Sequence, residues 1–477
     1  MGGDVSGKDL KKRGWPPGPL FKLAIEAANT ARTQKVVRGK KEALERLDDV
    51  IQKPHEFADD AVFGALANQI LDDKGRSKEA KLADTPIEYA IWGEDGMDEQ
   101  TLSQMENACR LPITAAAAQM PDGHVGYGLP IGGVVGVRNA VIPYGVGVDI
   151  ACRVRLSVID LDAARIEGMR GMLVNSLCEE TAFGMGAKFK GNELRQHEVM
   201  EDPAWDELPG DLKRLKEKAW SQLGSSGSGN HFVEWGEFVV ERKDADTGNL
   251  APGRYLALLS HSGSRGFGAL TADHYTKVAM SRTKLPYPQR HLAWLDLDSA
   301  DGQEYWLAMN LAGRYAHANH ECIHREVLKN AGFKAAVVFE NHHNFAWKEE
   351  HNGEELIVHR KGATPAAKGE LGVIPGTMAD PGFIVRGKGN ASSLNSAAHG
   401  AGRRMSRKKA KETLTKHDMA DYLKKRNVQL LSAGLDESPR AYKNIREVMA
   451  YQADLVEVIA EFHPRIVRMA DDGTSED

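Results

Sequence analysis

Histidines recur in this chain beside glycine, serine or asparagine. SGSGNHFVEW holds Asn230, His231 and Glu234; LLSHSGSRG holds His261 and Arg265; FENHHNF holds His342, His343 and Asn344; SAAHGAGRR holds His399, Arg403 and Arg404. VIPYGVGVDIACRV adds Asp149 and, three residues on, Cys152. Imidazole, thiolate and carboxylate are metal ligands, and a thiolate can bridge two ions. Two neighbouring ions suit phosphoryl transfer, where they hold and neutralise the attacking and leaving oxygens. Ser262, Gly263, Ser264 and Arg265 offer donors for phosphate oxygens, while Gly400, Ala401 and Gly402 let backbone approach a phosphate closely. An imidazole nitrogen is also a competent nucleophile toward phosphorus. His399 is the candidate for that role, and the basic run Arg403, Arg404, Arg407, Lys408 and Lys409 would stabilise the phosphate charge. Each fragment alone has a blander reading, because a single histidine is more often structural and a charge run is usually a solvated face. Several histidines at the mouths of strands shift the balance toward a site. A Cys/His/Asp set suits zinc as well as manganese, so these residues leave the metal open.

The elements that must position them are legible in the texture of the chain. From about residue 86 glycine-rich turns alternate with short apolar runs, IGGVVGV, VIPYGVGV, YLALLS and KAAVVF, which read as buried strands. DGQEYWLAMNLAGRYAHANHECIHREVLKNA reads as a long helix with His317, His320 and His324 on one face, expected to be solvated or core-lining rather than ligating. Between about residues 18 and 82, LFKLAIEAANTARTQKVVRG, KKEALERLDDVIQ and AVFGALANQILDD show helical spacing of apolar residues. The expected fold is therefore α/β (α+β mixed): a catalytic domain over 86–477 behind a small N-terminal helical extension over 1–85, whose role the sequence does not give.

With 477 residues, 42% hydrophobic and 27% charged, the chain has the composition of a globular protein. Its net charge of -5 argues against a surface that coats nucleic acid, so any polyanion site must be a local basic patch. No apolar run reaches membrane-helix length and no secretion segment opens the chain, so no membrane partner is expected. Gly2 and Ser6 match a loose acylation pattern that reads as coincidence. None of the four cysteines forms a C-x-x-C pair, which points to a reducing cytoplasm. Cys109, Cys178 and Cys322 are expected to be buried small hydrophobes.

In order along the chain, MPDGHVGYGLPIGGVV, VIPYGVGVDIAC, GSGNHFVEW, HSGSRG, HHNF, HRKGAT, VIPGTM, SAAHGAGRRMSR and ESPRAYKNIREVM resemble the RtcB-type RNA ligases. The resemblance runs from about residue 86 to about 468. It implies a GTP-dependent ligase using two Mn2+ ions. RNA with a 3′-phosphate or 2′,3′-cyclic phosphate would be joined to RNA with a 5′-hydroxyl, with room for an activating protein partner. By motif position, His399 matches the guanylylated histidine. Asp149, Cys152, His231, His261 and His343 match the metal ligands, with Cys152 in the bridging place. Asn230, Glu234, Gly400, Ala401, Gly402, Arg403 and Tyr442 match residues around the nucleotide. Arg265, Arg404 and Arg407 are the expected RNA-binding cations.

Two departures bear on this. The family reads GVDIGCGM where this chain reads GVDIACRV, so Ala151 and Arg153 replace glycines; Arg153 would either bind a phosphate or weaken metal binding. The family often ends in a Lys-Gly pair at the guanine base, and here Met469 and Ala470 align with it, leaving Arg468, Arg465, Glu437 or Tyr442 to read the base. Two rivals carry different chemistry: a metal-dependent phosphoesterase that opens cyclic phosphates without ligation, and a non-catalytic RNA-binding descendant.

Overall fold

The computed structural model describes residues 4–13, 15, 19–76 and 78–471, so the Gly2 of the acylation pattern lies outside the described residues. The chain divides into two compact units, Met1–Glu79 with Ser281–Lys284, and Ala80–Met280 with Leu285–Asp477. In the first, the spaced apolar residues form the helices Pro19–Thr33, Lys40–Gln52 and Gly64–Arg76. Ala24, Ala28, Leu44, Leu47, Val50, Phe63 and Leu66 close its core.

The second unit is mixed α/β. Among its described residues, one sheet runs in the order Val337–His342, Arg153–Asp162, Gly253–Ser262, Phe232–Val240, Val456–Met469, Gly382–Gly387, Leu371–Ile374, with Gln429–Ser432 beside Val456–Met469. Alternation sorts its side chains between two cores. Val233, Trp235, Leu256 and Leu258 pack with Leu173, Leu177, Ile323 and Val327 of the helices Ile166–Glu180 and Ala300–Asn330. Leu156, Phe238, Ala257 and Leu259 meet Phe339, Ile384 and Phe462 on the other face. A second sheet joins Asn344–His351, Glu354–Lys361, Ile131–Val137, Thr114–His124 and Ala90–Ile91.

The register of the first sheet gathers the chemistry-bearing residues. Arg153 pairs with Ser262 and with His342, and His261 pairs with Phe232, all antiparallel. Cys152 before one strand, His231 before a second, His261 at the end of a third and His343 after a fourth therefore share one end of the sheet.

Three local expectations change. VIPYGVGV carries only a two-residue strand, Ala140–Val141, before Pro143 opens the short helix Pro143–Val146; proline has no N–H to give a ladder but fits a first helical turn. Cys178 is exposed, unlike Cys109 and Cys322, because it sits one position beyond Leu177 on a helix whose buried stripe is Ile166, Leu173 and Leu177. His317 lies at the surface paired to Glu340, whereas His320 and His324 are buried. No helix among the described residues is long and apolar enough to cross a membrane.

Candidate active site

Cys152, His231 and His261 offer ligand atoms that all lie within 4.8 Å of one another. Cys152 Sγ is 3.4 Å from His231 Nε2 and 3.1 Å from His261 Nε2. Asp149 Oδ2 is 3.1 Å from His231 Nε2, and His343 Nε2 is 3.2 Å from His261 Nε2. The outer nitrogens explain what these inner ones can do. His231 Nδ1–H donates to the Ser226 carbonyl at 2.9 Å and His261 Nδ1–H to the Asn230 carbonyl at 3.1 Å. Both Nε2 atoms are then bare lone pairs facing a carboxylate oxygen and a sulfur. Acceptors crowded at these distances repel unless a cation lies among them, and imidazoles fixed through Nδ1 are how proteins aim nitrogen at a metal. The donor set fits a divalent ion.

Glycine and serine hold Asp149 in place. A Cβ on Gly263 would lie 2.0 Å from Asp149 Oδ2, so only glycine admits the carboxylate there. Ser264 N donates to Asp149 Oδ1 at 3.1 Å, Ser264 Oγ to the Ile150 carbonyl, and Ser262 Oγ to the Ser226 carbonyl at 2.9 Å. The HSGSRG donors expected to meet phosphate are thus spent inside the protein. Burial opposes ionisation of Asp149, yet the carboxyl stays below its usual range, with the Arg265 charge among the causes. Burial pushes His261 down to about 3 and His343 well below the ordinary imidazole value. The imidazoles stay neutral, the form that binds metal.

His399 follows the strand Ser396–Ala398, and its ring centroid lies 4.8 Å from that of His343. Its orientation comes from Asp122, which sequence reasoning passed over. Asp122 Oδ2 accepts from His399 Nδ1 at 2.7 Å, from His399 N at 3.0 Å and from Gly400 N at 3.3 Å. Asp122 is fully buried, and Gly402, at φ +70°, packs so closely that a Cβ would lie 2.1 Å from the Asp122 carbonyl oxygen. Nothing local in MPDGHVGYG marks this acid, because its partner is 277 residues away. Nδ1–H donates to the carboxylate, which leaves Nε2 as a lone pair.

A cavity of about 620 Å³ joins these groups. Asp149, Cys152, Asn230, His261, His343 and His399 line it, as do Gly400, Ala401, Gly402, Arg403, Arg404, Arg407 and Tyr442. Asn344, named in FENHHNF without a role, and Lys361, which the sequence did not single out, also line it. Asn344 Nδ2 donates to the Asp149 carbonyl at 3.2 Å, and its Oδ1 accepts from Gly362 N at 2.8 Å.

Several expected contacts either miss this cavity or are spent within the protein. Arg265 is buried beneath His231, NH1 3.4 Å from Nδ1 and Nε 3.3 Å from Ser225 Oγ, so it supports a donor instead of meeting RNA. Glu234 is not in the lining either; it is buried within the sheet opposite Leu259, and burial raises its carboxyl well above the usual range. Arg407 lines the cavity but is held by buried Asp436, at 3.0 Å, and Glu437. Arg403 donates to Tyr442 Oη at 3.1 Å and to the Asp436 carbonyl at 2.8 Å. Arg153 pairs with Glu340 and reaches His342 Nδ1 at 3.1 Å, so it meets neither a phosphate nor the donor cluster.

Fold and site together define an α/β protein in which a metal-type donor set and an oriented imidazole share one cavity. The comparisons name the class. A family model described as tRNA-splicing ligase RtcB matches residues 104–470, and the chain belongs to the RtcB family. An Escherichia coli K12 protein named RNA-splicing ligase RtcB is 34% identical over 384 residues, covering 75% of this chain and 90% of that protein. A Thermococcus kodakarensis protein named tRNA-splicing ligase RtcB is 30% identical over 441 residues, covering 77% and 90%. An Entamoeba dispar protein named RNA-splicing ligase RtcB homolog 1 is 30% identical over 435 residues, covering 76% and 81%.

Proposed function

We propose that this chain is an RNA ligase that joins a 3′-phosphate or 2′,3′-cyclic phosphate end to a 5′-hydroxyl end, with GTP as the activating substrate and His399 as the nucleophile. The observation that carries the reading is the hydrogen bond from His399 Nδ1 to buried Asp122, which leaves Nε2 bare beside the Cys152, His261 and His343 donors.

The first step would form a bond from His399 Nε2 to the α-phosphorus of GTP and break the α–β phosphoanhydride, releasing pyrophosphate. Because Nδ1 keeps its proton, the phosphorylated ring carries a positive charge, and the Asp122 carboxylate 2.7 Å away offsets it. An oxygen of the RNA 3′-phosphate would then attack the same phosphorus, and Nε2 would leave as a neutral imidazole. The 5′-hydroxyl oxygen would finally attack the RNA phosphorus and expel GMP. Asp149, Cys152, His231, His261 and His343 would hold manganese, which would neutralise charge on the phosphate oxygens. Asn230, the segment Gly400–Arg403 and Tyr442 would surround the nucleotide. The helical unit before Ala80 is assigned no part in this chemistry.

The test is incubation with Mn2+ and α-labelled GTP. Acid-labile label on the wild-type chain, and none on His399→Ala with its metal content intact, is the expected result. RNA already capped with pyrophosphate-linked guanosine should still be joined by that variant, because capping follows histidine attack. Label on His399→Ala, or loss of its metal, overturns the assignment.

A further inference from the structure

A second cavity, of about 630 Å³, shares Arg404 and Tyr442 with the first. Its lining carries five cations, Arg404, Arg426, Arg440, Lys443 and Arg446, against one carboxylate, Asp380. This concentration of positive charge stands out in a chain whose net charge is -5. We infer that this basic cavity carries the phosphodiester backbone of single-stranded RNA up to the His399 cavity, an inference that rests on the ligase reading above.

The cations are available in different degrees. Lys443 Nζ donates to the carbonyls of Pro121 at 3.1 Å and Gly123 at 2.7 Å, which fixes the segment around Asp122, so its role is structural first. Arg426 lies over the Tyr422 ring and 3.2 Å from Asp380. Arg440 is 3.9 Å from Asp418 and Arg446 3.2 Å from Glu461, both arginine side chains more than half exposed. A long exposed pair such as Arg440–Asp418 contributes little, so a phosphate can take over that guanidinium at small cost. Arg446 meets Glu461 through both nitrogens at 3.2 Å and is held more firmly. Arg404 is exposed on the rim common to both cavities.

The lining also says what is recognised. Asn444, the one amide in it, is spent on its own helix, with Oδ1 accepting from Arg446 N at 3.1 Å and Nδ2 donating to Glu447 at 3.0 Å. Guanidinium groups spread along a cavity suit phosphate oxygens, and phosphate contacts position a backbone without reading its sequence. RNA held here should therefore bind with little regard to sequence and with strong salt dependence.

The test titrates a short fluorescent single-stranded RNA with a 5′-hydroxyl against the full chain over a range of salt concentrations. Arg404→Gln, Arg440→Gln and Arg446→Gln combined should lower the slope of log affinity against log salt by about 2, from about 0.7 per phosphate contact on a single strand. Lysine at the same three positions should keep the wild-type slope, because the slope counts charges. An unchanged slope in the glutamine variant overturns the proposal. So does loss of slope with lysine as well, which would mark the ion pairs as purely structural. Ligation and His399 labelling by the wild-type chain are read in parallel. A chain that shows the expected slopes but neither labels nor ligates overturns the ligase reading and leaves the RNA track standing.

Discussion

Cys152 Sγ lies within 3.4 Å of two imidazole nitrogens whose protons are committed elsewhere. A thiolate there supplies a full negative charge that serine cannot, so Cys152→Ser should lose bound metal and His399 labelling together. Metal analysis of the purified variant checks this, and full occupancy would contradict the bridging role. The neighbouring Ala151 sits at φ +57°, in the left-handed region that favours glycine. Relief of that strain by Ala151→Gly is worth about 1–2 kcal/mol. Loss of the buried methyl costs about 0.8 kcal/mol, and the looser unfolded chain about 0.4–1 kcal/mol. These nearly cancel, so the variant should stay within about 1 kcal/mol of wild type in urea unfolding. Arg153, the other departure beside the metal cysteine, is neutralised by Glu340 in a buried pair. Glu340 keeps Arg155 and His317 as partners when Arg153 is removed, so in urea unfolding Arg153→Ala should cost less than the about 3–5 kcal/mol of a buried charge left alone.

At the scale of elements, two buried histidines tie strands and helix together in their neutral form. His359 Nδ1–H donates to the Ile357 carbonyl at 3.1 Å while its Nε2 accepts from Ile142 N at 2.9 Å. His324 bridges Ser157, at 2.8 Å, and Ser260, at 2.8 Å, between the Ala300–Asn330 helix and the sheet. Burial first, and for His324 the Arg155 charge as well, lowers His359 to about 4 and His324 to about 3. The unfolded chain, with ordinary imidazoles near 6.5, binds more protons than the folded one between these values. Stability is therefore fully present above about pH 6.5 and is lost as pH falls toward 4 and 3. The loss should be about 1.4 kcal/mol per histidine between pH 7.5 and 5.5. Urea unfolding at pH 7.5 and 5.5 measures it, and His359→Gln should flatten the slope by about one proton. The helix Arg407–Thr413 sorts the basic run differently from the sequence: Arg407 turns inward to Asp436 and Glu437, while Lys408 and Lys409 face solvent. Lys408→Gln with Lys409→Gln should leave the salt dependence of RNA binding unchanged; a lower slope would return these lysines to the RNA surface.

Over the whole molecule, base selection turns on what the end of the Val456–Met469 strand offers the cavity. Met469 lines it and carries no donor. The two arginines that sequence offered as substitutes are engaged elsewhere. Arg468 donates to the carbonyls of Leu177, Cys178 and Thr181, and Arg465 to Glu237 and the Arg426 carbonyl. Ala470 is buried, with its carbonyl accepting from Gly434 N at 2.9 Å, so this part of the tail is held in place. A charge-assisted bond to the guanine acceptor edge is worth about 1.5–3 kcal/mol, on the order of ten- to over a hundredfold. Without it, His399 labelling at subsaturating triphosphate should favour GTP over ATP by less than about a hundredfold. Arg468→Ala and Arg465→Ala should not alter that ratio, and sharp GTP preference would show that Glu437 and Tyr442 read the base alone.

Residue types and local spacing were enough to pick out candidate donors, the helices of the first unit and the long Ala300–Asn330 helix, because these are local properties of the chain; the family came from the resemblance of whole motifs. Gly402 was legible as a close approach, though not what approaches it. Asp122 escaped because a lone acid in MPDGH carries no local mark; it is 277 residues from His399, and only the fold makes their hydrogen bond. Charge balance was hidden for the same reason. Arg403 and Arg407 read as free cations until Asp436 and Glu437, some thirty residues on, close over them. Side-chain direction settled the rest. A strand alternates its faces and a helix turns by 100° per residue, so Glu234, Arg265 and Cys178 each pointed where a neighbour one position away would not. Which groups meet, and which cancel, is decided by register and packing between distant segments, and those are set only when the chain is folded.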